Sequence, residues 1–256
     1  MNKQREPQRL RQTIQAVKEL ILSRGLRPGD PLPTEAELVE LLEVSRSNLR
    51  EAIRTLVTLD ILEVRHGTGT FVGELSLRPL VEGLTFKGIL LPGNDSETLR
   101  EVVEVRIALD LALAPAMVAR LTGEDVPELR VHCDEMDAAL AHSARFAAAD
   151  RAFHIELAER FGNELYGQLV AAFWDVHTIV APKLGVPTIR DVSETARAHR
   201  ALLDAAVRGD LDGYLAAVHD HYRPLLRSLE SSAKAARQPS PSLTIPRQEP
   251  ATSRRS

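Results

Sequence analysis

The feature that most restricts the fold is the order of elements in residues 9–72. Three short segments with apolar residues at helical spacing come first, and turns separate them. Two β-prone runs follow, Leu62–Arg65 and Thr70–Val72, on either side of the stretch HGTG. The glycines of that stretch permit a tight reversal, so the two runs predict a β-hairpin. The order therefore predicts three helices followed by a hairpin.

The third segment carries the residues that favour a winged helix-turn-helix domain. Arg46, Arg50 and Arg54 follow one another at intervals of four and share a helix face. The opposite face is apolar and should dock on the second helix: Leu49, Ile53, Leu56 and Val57. Small polar residues, one of them a candidate N-cap, cluster at the helix start: Ser45, Ser47 and Asn48. Such a helix fits a DNA major groove, where Arg binds guanine and Asn binds adenine. The alternative is a solvated helix whose arginines pair with Glu43 or Glu51.

Helical periodicity also dominates residues 97–230, where no strand-like alternation occurs. Aromatic residues make up only 4% of the chain, which favours helical packing over a β-sandwich. Six helices are expected there, near residues 97–121, 124–141, 145–161, 163–181, 191–208 and 211–230. The fold class is therefore mainly α, with an N-terminal winged helix-turn-helix followed by an all-α antiparallel helical bundle.

This organisation predicts four regions. Residues 1–75 form the DNA-binding domain, 76–96 a linker with some helical character, 97–230 the all-helical bundle, and 231–256 a tail. The tail is rich in Ser, Pro, Gln and Arg and lacks apolar periodicity, so it is predicted to be disordered.

Composition excludes several classes of protein. The net charge of −4 argues against a protein that coats nucleic acid without sequence preference. The single cysteine, Cys133, excludes an intrachain disulfide framework. No apolar run is long enough to span a membrane, and the polar N-terminus does not resemble a signal peptide. These features predict a cytoplasmic protein without a membrane partner.

Polar residues interrupt the apolar stripes of three bundle helices. Asp150 and His154 lie four residues apart on one stripe, and His199 and His221 lie on two others, whereas His219 falls off its stripe. Buried polar groups need partners, and a divalent metal is one solution. A core histidine with ordinary hydrogen bonds is the alternative, and the residues alone leave both interpretations open.

Two further residues are candidates for binding an effector. Arg106 lies on the apolar stripe of the first bundle helix, and a buried Arg calls for an anion such as a carboxylate. A structural salt bridge to Glu104, Asp110 or another helix would serve equally well. His177 is a candidate hydrogen-bond donor to an effector, although a core position is the simpler interpretation.

The N-terminal region resembles the DNA-binding domain of GntR-type bacterial transcription regulators. The resemblance covers residues 10–73 and is carried by PGDPLPTEAEL, VSRSNLREAIRTL and HGTGTFV. It implies that operator contacts come from Ser45, Arg46, Ser47, Asn48, Arg50, His66 and Gly67. Ala36 departs from the pattern, because many members carry Arg there.

The bundle resembles the FadR C-terminal (FCD) ligand-binding domain of one GntR subfamily. The matching pieces are EVVEVRIALD, DRAFHIELAERFGN, ETARAHRALLDAAVRGD and GDLDGYLAAVHDHY. The resemblance to the metal-binding branch implies a divalent ion held by Asp150, His154, His199 and His221. Zinc is the favoured ion, with Ni, Mn or Fe as alternatives.

Together these resemblances imply a transcription regulator, expected to be a repressor and not an enzyme. It should bind a palindromic operator in double-stranded DNA as a homodimer and respond to a small organic-acid effector. Two alternatives stay open at this point. One is the same regulator with a metal-free pocket for an acyl-CoA-like ligand, and the other is a metal-dependent hydrolase. The metal could also be purely structural.

Overall fold

The computed structural model describes residues 5–90, 95–183 and 192–236. It begins with a small domain, here called the head, of three helices and a two-stranded antiparallel sheet. The elements are α1 (Arg5–Ser23), α2 (Glu35–Leu41), α3 (Arg46–Thr58), β1 (Leu62–Arg65) and β2 (Gly69–Val72). The strands pair from Leu62 opposite Val72 to Arg65 opposite Gly69.

Local sequence fixes the start of the second and third helices. Thr34 and Glu37 form a capping box at the start of α2, since each side chain accepts a hydrogen bond from the other residue's backbone N–H. Ser45 caps α3 by accepting a hydrogen bond from the backbone N–H of Asn48 at 3.2 Å. One face of α3 buries Leu49 and Leu56 in the core of the head. These caps and contacts aim the opposite face of α3 at solvent.

Val57 is an exception to the predicted apolar face of α3. Its side chain is 38% exposed, because it lies at the edge of the helix face that contacts the core. Leu56, one residue earlier, fills the core position and is completely buried. The predicted inward direction of Val57 was therefore wrong.

A hydrogen-bonded clasp fastens the exit of the hairpin to the end of α3. Asp60 follows α3 in the left-handed region with φ of 57°, and its Oδ2 accepts hydrogen bonds from the backbone N–H and the hydroxyl of Ser76. Gly73 passes so close that a Cβ there would lie 2.5 Å from the carbonyl oxygen of Asp60. The Ser76 hydroxyl also accepts from the backbone N–H of Arg78, the first residue of the next helix. The chain therefore leaves the head by a fixed route.

The segment predicted as the linker, 76–96, contains a helix, α4 (Arg78–Leu90). Val81, Thr85 and Gly88 recur at helical spacing and are buried. Gly88 brings the α4 backbone close to Val180 of a bundle helix, since a Cβ there would lie 3.4 Å from that side chain. The sequence underestimated this segment because its apolar face meets partners almost a hundred residues later. Residues 91–94 lie outside the described part of the chain.

The rest of the described chain is helical: α5 (Asp95–Leu121), α6 (Pro127–Ala138), α7 (Ser143–Phe161), α8 (Glu164–Lys183), α9 (Val192–Arg208) and α10 (Leu211–Ala236). Their inward faces share one large core, whose fully buried members include Leu99, Met117, Leu129, Phe153, Leu203 and Leu229. The predicted fold class, a winged helix-turn-helix followed by an all-α bundle, is confirmed.

The last helix extends further than the sequence suggested. α10 continues to Ala236, six residues into the predicted tail 231–256. Ser231 and Ser232 are accommodated because their hydroxyls donate to the carbonyls of Arg227 and Ser228, one turn earlier. Residues 237–256 lie outside the described part of the chain. Among the described residues, no helix is both long and apolar enough to cross a membrane.

Candidate functional site

Three helices of the bundle bring four predicted ligands to one buried point. α7 supplies Asp150 and His154 from adjacent turns, α9 supplies His199, and α10 supplies His221. All four side chains are buried, and His199 is completely inaccessible to solvent. His219 is exposed, so α10 directs His221 and not its neighbour toward the bundle interior. The arrangement follows the apolar stripes read from the sequence.

The donor atoms of this cluster face one another at short range. The Nε2 atom of His154 lies 3.2 Å from the Nε2 atoms of both His199 and His221. Oδ1 of Asp150 lies 3.0 Å from Nε2 of His199 and 3.3 Å from Nε2 of His154. Ligands on a common ion with bonds of about 2.1 Å are separated by about 3.0 Å at a right angle and about 3.4 Å at a tetrahedral angle. The observed separations fall in that interval.

The hydrogen bond made by Nδ1 of His199 determines which nitrogen of this ring can bind a cation. Its Nδ1–H donates to the backbone carbonyl of Thr195 at 2.8 Å, because a carbonyl only accepts. In a neutral ring this leaves a lone pair on Nε2, pointing at the carboxylate of Asp150 and at two further imidazoles. A carboxylate and an imidazole lone pair that face each other in a buried site repel unless a proton or a metal cation lies between them. The donor set therefore fits a divalent metal ion.

Burial and mutual proximity shift the pKa values of Asp150, His154 and His221 toward the forms that bind metal. Burial lowers the pKa of His154 to about 3, and the nearby Arg106 charge acts in the same direction. Burial also lowers the pKa of His221 well below its usual value, together with its two neighbouring histidines. Burial alone would raise the pKa of Asp150, but His199 and His154 hold it well below its usual range. Neutral imidazoles and an ionised carboxylate are the ligating forms.

A narrow cavity adjoins the cluster. The cavity has a volume of about 40 Å³. Asp150 and His221 contribute to its wall, and Arg106, predicted as an effector-binding residue, projects into it. Nε and Nη2 of this buried guanidinium have no hydrogen-bond partner in the described part of the chain. A cation beside an apolar cavity with two unused donors is suited to binding an anion.

The second predicted effector residue, His177, also lies on this cavity. It is half-buried, and its ring lies at a centroid distance of 6.2 Å from Trp174, the only tryptophan of the chain. Burial lowers the pKa of His177, which favours the neutral ring. The structure thus brings Arg106 and His177 to the same cavity as the histidine cluster.

Sequence reasoning named Asp110 as one possible partner of Arg106 but missed the two tyrosines that bind it. The carboxylate of Asp110 accepts hydrogen bonds from the hydroxyls of Tyr166 at 2.8 Å and Tyr222 at 2.6 Å. The Tyr222 ring also lies beneath the guanidinium of Arg106, 5.5 Å from its centroid, and against His221 at 4.5 Å. The available signal was the spacing of Arg106 and Asp110, one turn apart on α5, and the position of Tyr222 directly after a ligand candidate.

The head presents its predicted DNA-contacting residues on the surface. Arg46, Ser47, Arg50, His66 and Gly67 are exposed. Asn48 is half-buried, and the exposed Ser45 uses its hydroxyl as the cap of α3. Gly67, with φ of 75°, makes the turn at the hairpin tip.

Arg50 is the one predicted contact residue of α3 that forms an ion pair among the described residues. Its Nε donates to the Glu35 carboxylate at 2.9 Å, which ties α3 to the start of α2. Glu35 precedes Ala36, the position at which the family pattern departs. The pair is exposed, so DNA phosphates or bases can compete for the guanidinium.

Comparisons with known proteins agree with both halves of this architecture. Residues 10–72 match the family described as "Bacterial regulatory proteins, gntR family", and residues 101–224 match the "FCD domain" family. A protein of Escherichia coli strain K12, named as a candidate regulatory protein of the L-lactate dehydrogenase operon, is 30% identical over 247 residues. That match covers 90% of this chain and 92% of the relative. The chain belongs to the GntR family.

Other relatives of this GntR-family protein are also transcription regulators. The galactonate operon transcriptional repressor of Escherichia coli strain K12 is 27% identical, covering 72% of this chain and 81% of the repressor. Among solved structures, a GntR protein of Streptococcus agalactiae superposes with a TM-score of 0.61 at 28% identity, covering 86% of this chain and 99% of that one. The protein is therefore a transcription regulator of the GntR type with an FCD domain, and not an enzyme.

Proposed function

We propose that this GntR regulator is an operator-binding repressor whose DNA affinity falls when a small carboxylate metabolite binds beside a divalent metal ion in the bundle. The convergence of Asp150, His154, His199 and His221 on one buried point carries the proposal. A cation is needed there because the converging atoms are all acceptors in the ligating forms. We propose zinc as the ion, with Ni, Mn and Fe as alternatives that have similar ligand preferences.

The position of Arg106 supports a carboxylate as the effector. Its two unpartnered donor nitrogens and the donor cluster border one cavity, so an acid can contact the cluster and the guanidinium together. Two relatives are named for operons of L-lactate dehydrogenase and galactonate, and lactate and galactonate are both carboxylates. The same chemistry suits the effector of this chain.

The cavity size argues against the metal-free alternative. A buried water needs roughly 10–15 Å³ of cavity volume, so this cavity of about 40 Å³ accommodates about three water molecules. An acyl-CoA-like ligand is far larger and would require the helices to move apart. We therefore favour a small acid over a long acyl chain.

The head supports recognition of operator DNA. Its exposed α3 carries Arg46, Ser47 and Arg50, and the glycine-tipped hairpin lies beside them in sequence. We propose that two copies bind a palindrome, with recognition helices about 34 Å apart. The effector relieves repression only if it binds the DNA-competent and DNA-free arrangements with different affinity.

The first experiment measures metal content. Untagged protein is analysed by elemental mass spectrometry beside a His199→Ala, His221→Ala double variant, with His219→Ala as the matched control. We expect about one metal per chain in the wild type and the control, and none in the double variant. Absence of metal from every protein, even after incubation with zinc or nickel, would remove the metal from the proposal. A metal whose removal unfolds the bundle without altering carboxylate binding would make it purely structural.

A further inference from the structure

The charges buried around the cavity restrict the ionic state of the effector. Among the described residues, the charged side chains at the cavity are Arg106 and Asp150 in its wall and Asp110, which is hydrogen-bonded to the wall residue Tyr222. The histidines around them are neutral, as metal ligation requires. Buried charge that is not balanced is costly, so the groups and the ligand should approach neutrality together.

The net charge around the cavity depends on whether Asp110 is ionised. Burial raises the pKa of Asp110 above its usual value, and Arg106 and the hydrogen bonds from two tyrosines offset part of that rise. Both carboxylate oxygens accept from phenolic hydroxyls, at 2.8 Å and 2.6 Å. Two donated hydrogen bonds and a neighbouring guanidinium stabilise the ionised carboxylate. Asp110 therefore counts as the counter-charge of Arg106.

The net charge of these side chains changes sign when the proposed cation is included. One Arg and two carboxylates together give a charge of −1, which repels an anionic effector. A divalent ion in the donor cluster changes that total to +1. A ligand with one negative charge then neutralises the site, whereas a ligand with two negative charges leaves an excess.

The remaining wall of the cavity restricts the body of the effector. Much of it is apolar: Val102, Val103, Phe173, Trp174 and Leu225. A sugar acid would lose several hydrogen bonds to water against such a wall without replacing them, and this loss is unfavourable. A short alkyl group would lose none.

We infer that the effector is a short monocarboxylate with a small apolar body, and not a dicarboxylate, a tricarboxylate or a polyhydroxylated sugar acid. The inference rests on the proposed function, since it requires both the metal and a carboxylate ligand. Asp110 is a positioning and charge-setting residue in it, acting on the effector through Arg106.

Trp174 provides the measurement, because it is the single tryptophan and it lies in the cavity wall. Metal-loaded full-length protein is titrated with lactate, glycerate and malate while tryptophan fluorescence is followed. Glycerate adds one hydroxyl to lactate, and malate adds one carboxylate. We expect lactate to bind about tenfold more tightly than malate, and glycerate to lie between them.

The Asp110→Asn variant tests the charge count directly. Removing one negative charge raises the total to +2, so the ratio of malate affinity to lactate affinity should rise about tenfold. Asp204→Asn is the matched control, since Asp204 is an exposed residue of α9 that pairs with Arg130, and its ratio should not change. If far-UV circular dichroism shows that Asp110→Asn does not fold, the wild-type ratio decides.

The possible outcomes separate this inference from the proposed function. Metal-loaded protein that prefers malate, or whose ratio does not respond to Asp110→Asn, overturns the charge count and leaves a metal-dependent carboxylate sensor in place. A preference for glycerate over lactate overturns the apolar body. Protein that binds neither metal nor any of the three acids overturns both the inference and the proposed function.

Discussion

The head and the bundle place their functional residues in opposite environments. In the head, the candidate DNA contacts are exposed and attached to a small apolar core that they do not enter. In the bundle, the candidate ligands and Arg106 are buried within the part of the molecule that must remain packed. The head can therefore change its sequence preference with little effect on stability. The bundle site cannot change without altering the free energy of unfolding.

This comparison also explains why only one of the two sites is suited to sensing. An exposed arginine is solvated while DNA is absent, so the described part of the free head carries no buried charge that needs a partner. In the bundle, buried acceptor atoms beside a guanidinium with two unpartnered nitrogens are unfavourable until a cation and an anion are present. Ligand binding there removes this unfavourable term, and it is coupled to the head if the ligand favours one arrangement of the molecule over another.

Removal of metal should have the largest effect and should be confined to the bundle. With free metal at about a thousandfold above its Kd, chelation lowers the unfolding free energy by about 4 kcal/mol. Hydrogen exchange followed by mass spectrometry checks the prediction, because it resolves α7, α9 and α10 separately from α1–α3. Equal loss of protection in head and bundle would contradict the proposed separation.

Acidification should destabilise the metal-free bundle by a smaller amount. The pKa of His154 is about 3 in the folded protein and about 6.5 when unfolded, so the unfolded chain binds more protons between these values. The free energy of unfolding that depends on neutral His154 is present in full above about pH 6.5. It decreases as the pH falls, by about 2 kcal/mol at pH 5. Thermal unfolding followed by Trp174 fluorescence measures it. His219→Gln, at an exposed position, should give the same profile as the wild type, and a flat wild-type profile would refute the prediction.

The Tyr166→Phe substitution should cost about 1.5 kcal/mol, because it removes a hydrogen bond to the ionised carboxylate of Asp110. The hydrogen bond from Tyr222 remains, so the fold should persist. Chemical denaturation gives the change in unfolding free energy, and the Tyr214→Phe variant is the comparison, since Tyr214 makes no hydrogen bond to Asp110 in the described structure. Equal losses of unfolding free energy in the two variants would show that the hydrogen bond from Tyr166 to Asp110 adds nothing to stability.

The Arg46→Ala substitution should have the smallest effect on stability, within about 0.5 kcal/mol, because the side chain is exposed. It should nevertheless weaken specific DNA binding by between about fivefold and about 150-fold, the range for loss of a base-contacting Arg. Fluorescence anisotropy with an operator selected from a random-sequence pool measures the affinity. Arg130→Ala in the bundle serves as the control and should leave the affinity unchanged.

The sequence predicted well those features that depend on neighbours within one turn or one hairpin. The Ser45 cap and the hairpin were found because their interactions are local. The four ligand candidates were found because each interrupts an apolar stripe, and the resemblance indicated which stripes meet.

Features that depend on distant contacts were less accessible to sequence reasoning. α4 looked like a linker because its apolar face is covered by α8, and no local pattern shows that partner. The residues alone did not distinguish Glu104 from Asp110 as a partner of Arg106. Only the fold brings Tyr166 and Tyr222 to the Asp110 carboxylate. The unpartnered nitrogens of Arg106 are likewise a property of packing, not of spacing.

The clasp between Asp60 and Ser76 has a consequence for how such regulators exchange parts. A head separated after residue 75 loses both hydrogen bonds to the side chain of Asp60, the residue that turns the chain in the left-handed conformation after α3. The unit that can be transplanted intact therefore ends after Ser76, one residue beyond the predicted domain boundary. A chimera joined within α4 would keep the direction in which the chain leaves α3. Any effector domain joined there would be connected to the recognition helix α3 through α4 and the Asp60–Ser76 hydrogen bonds.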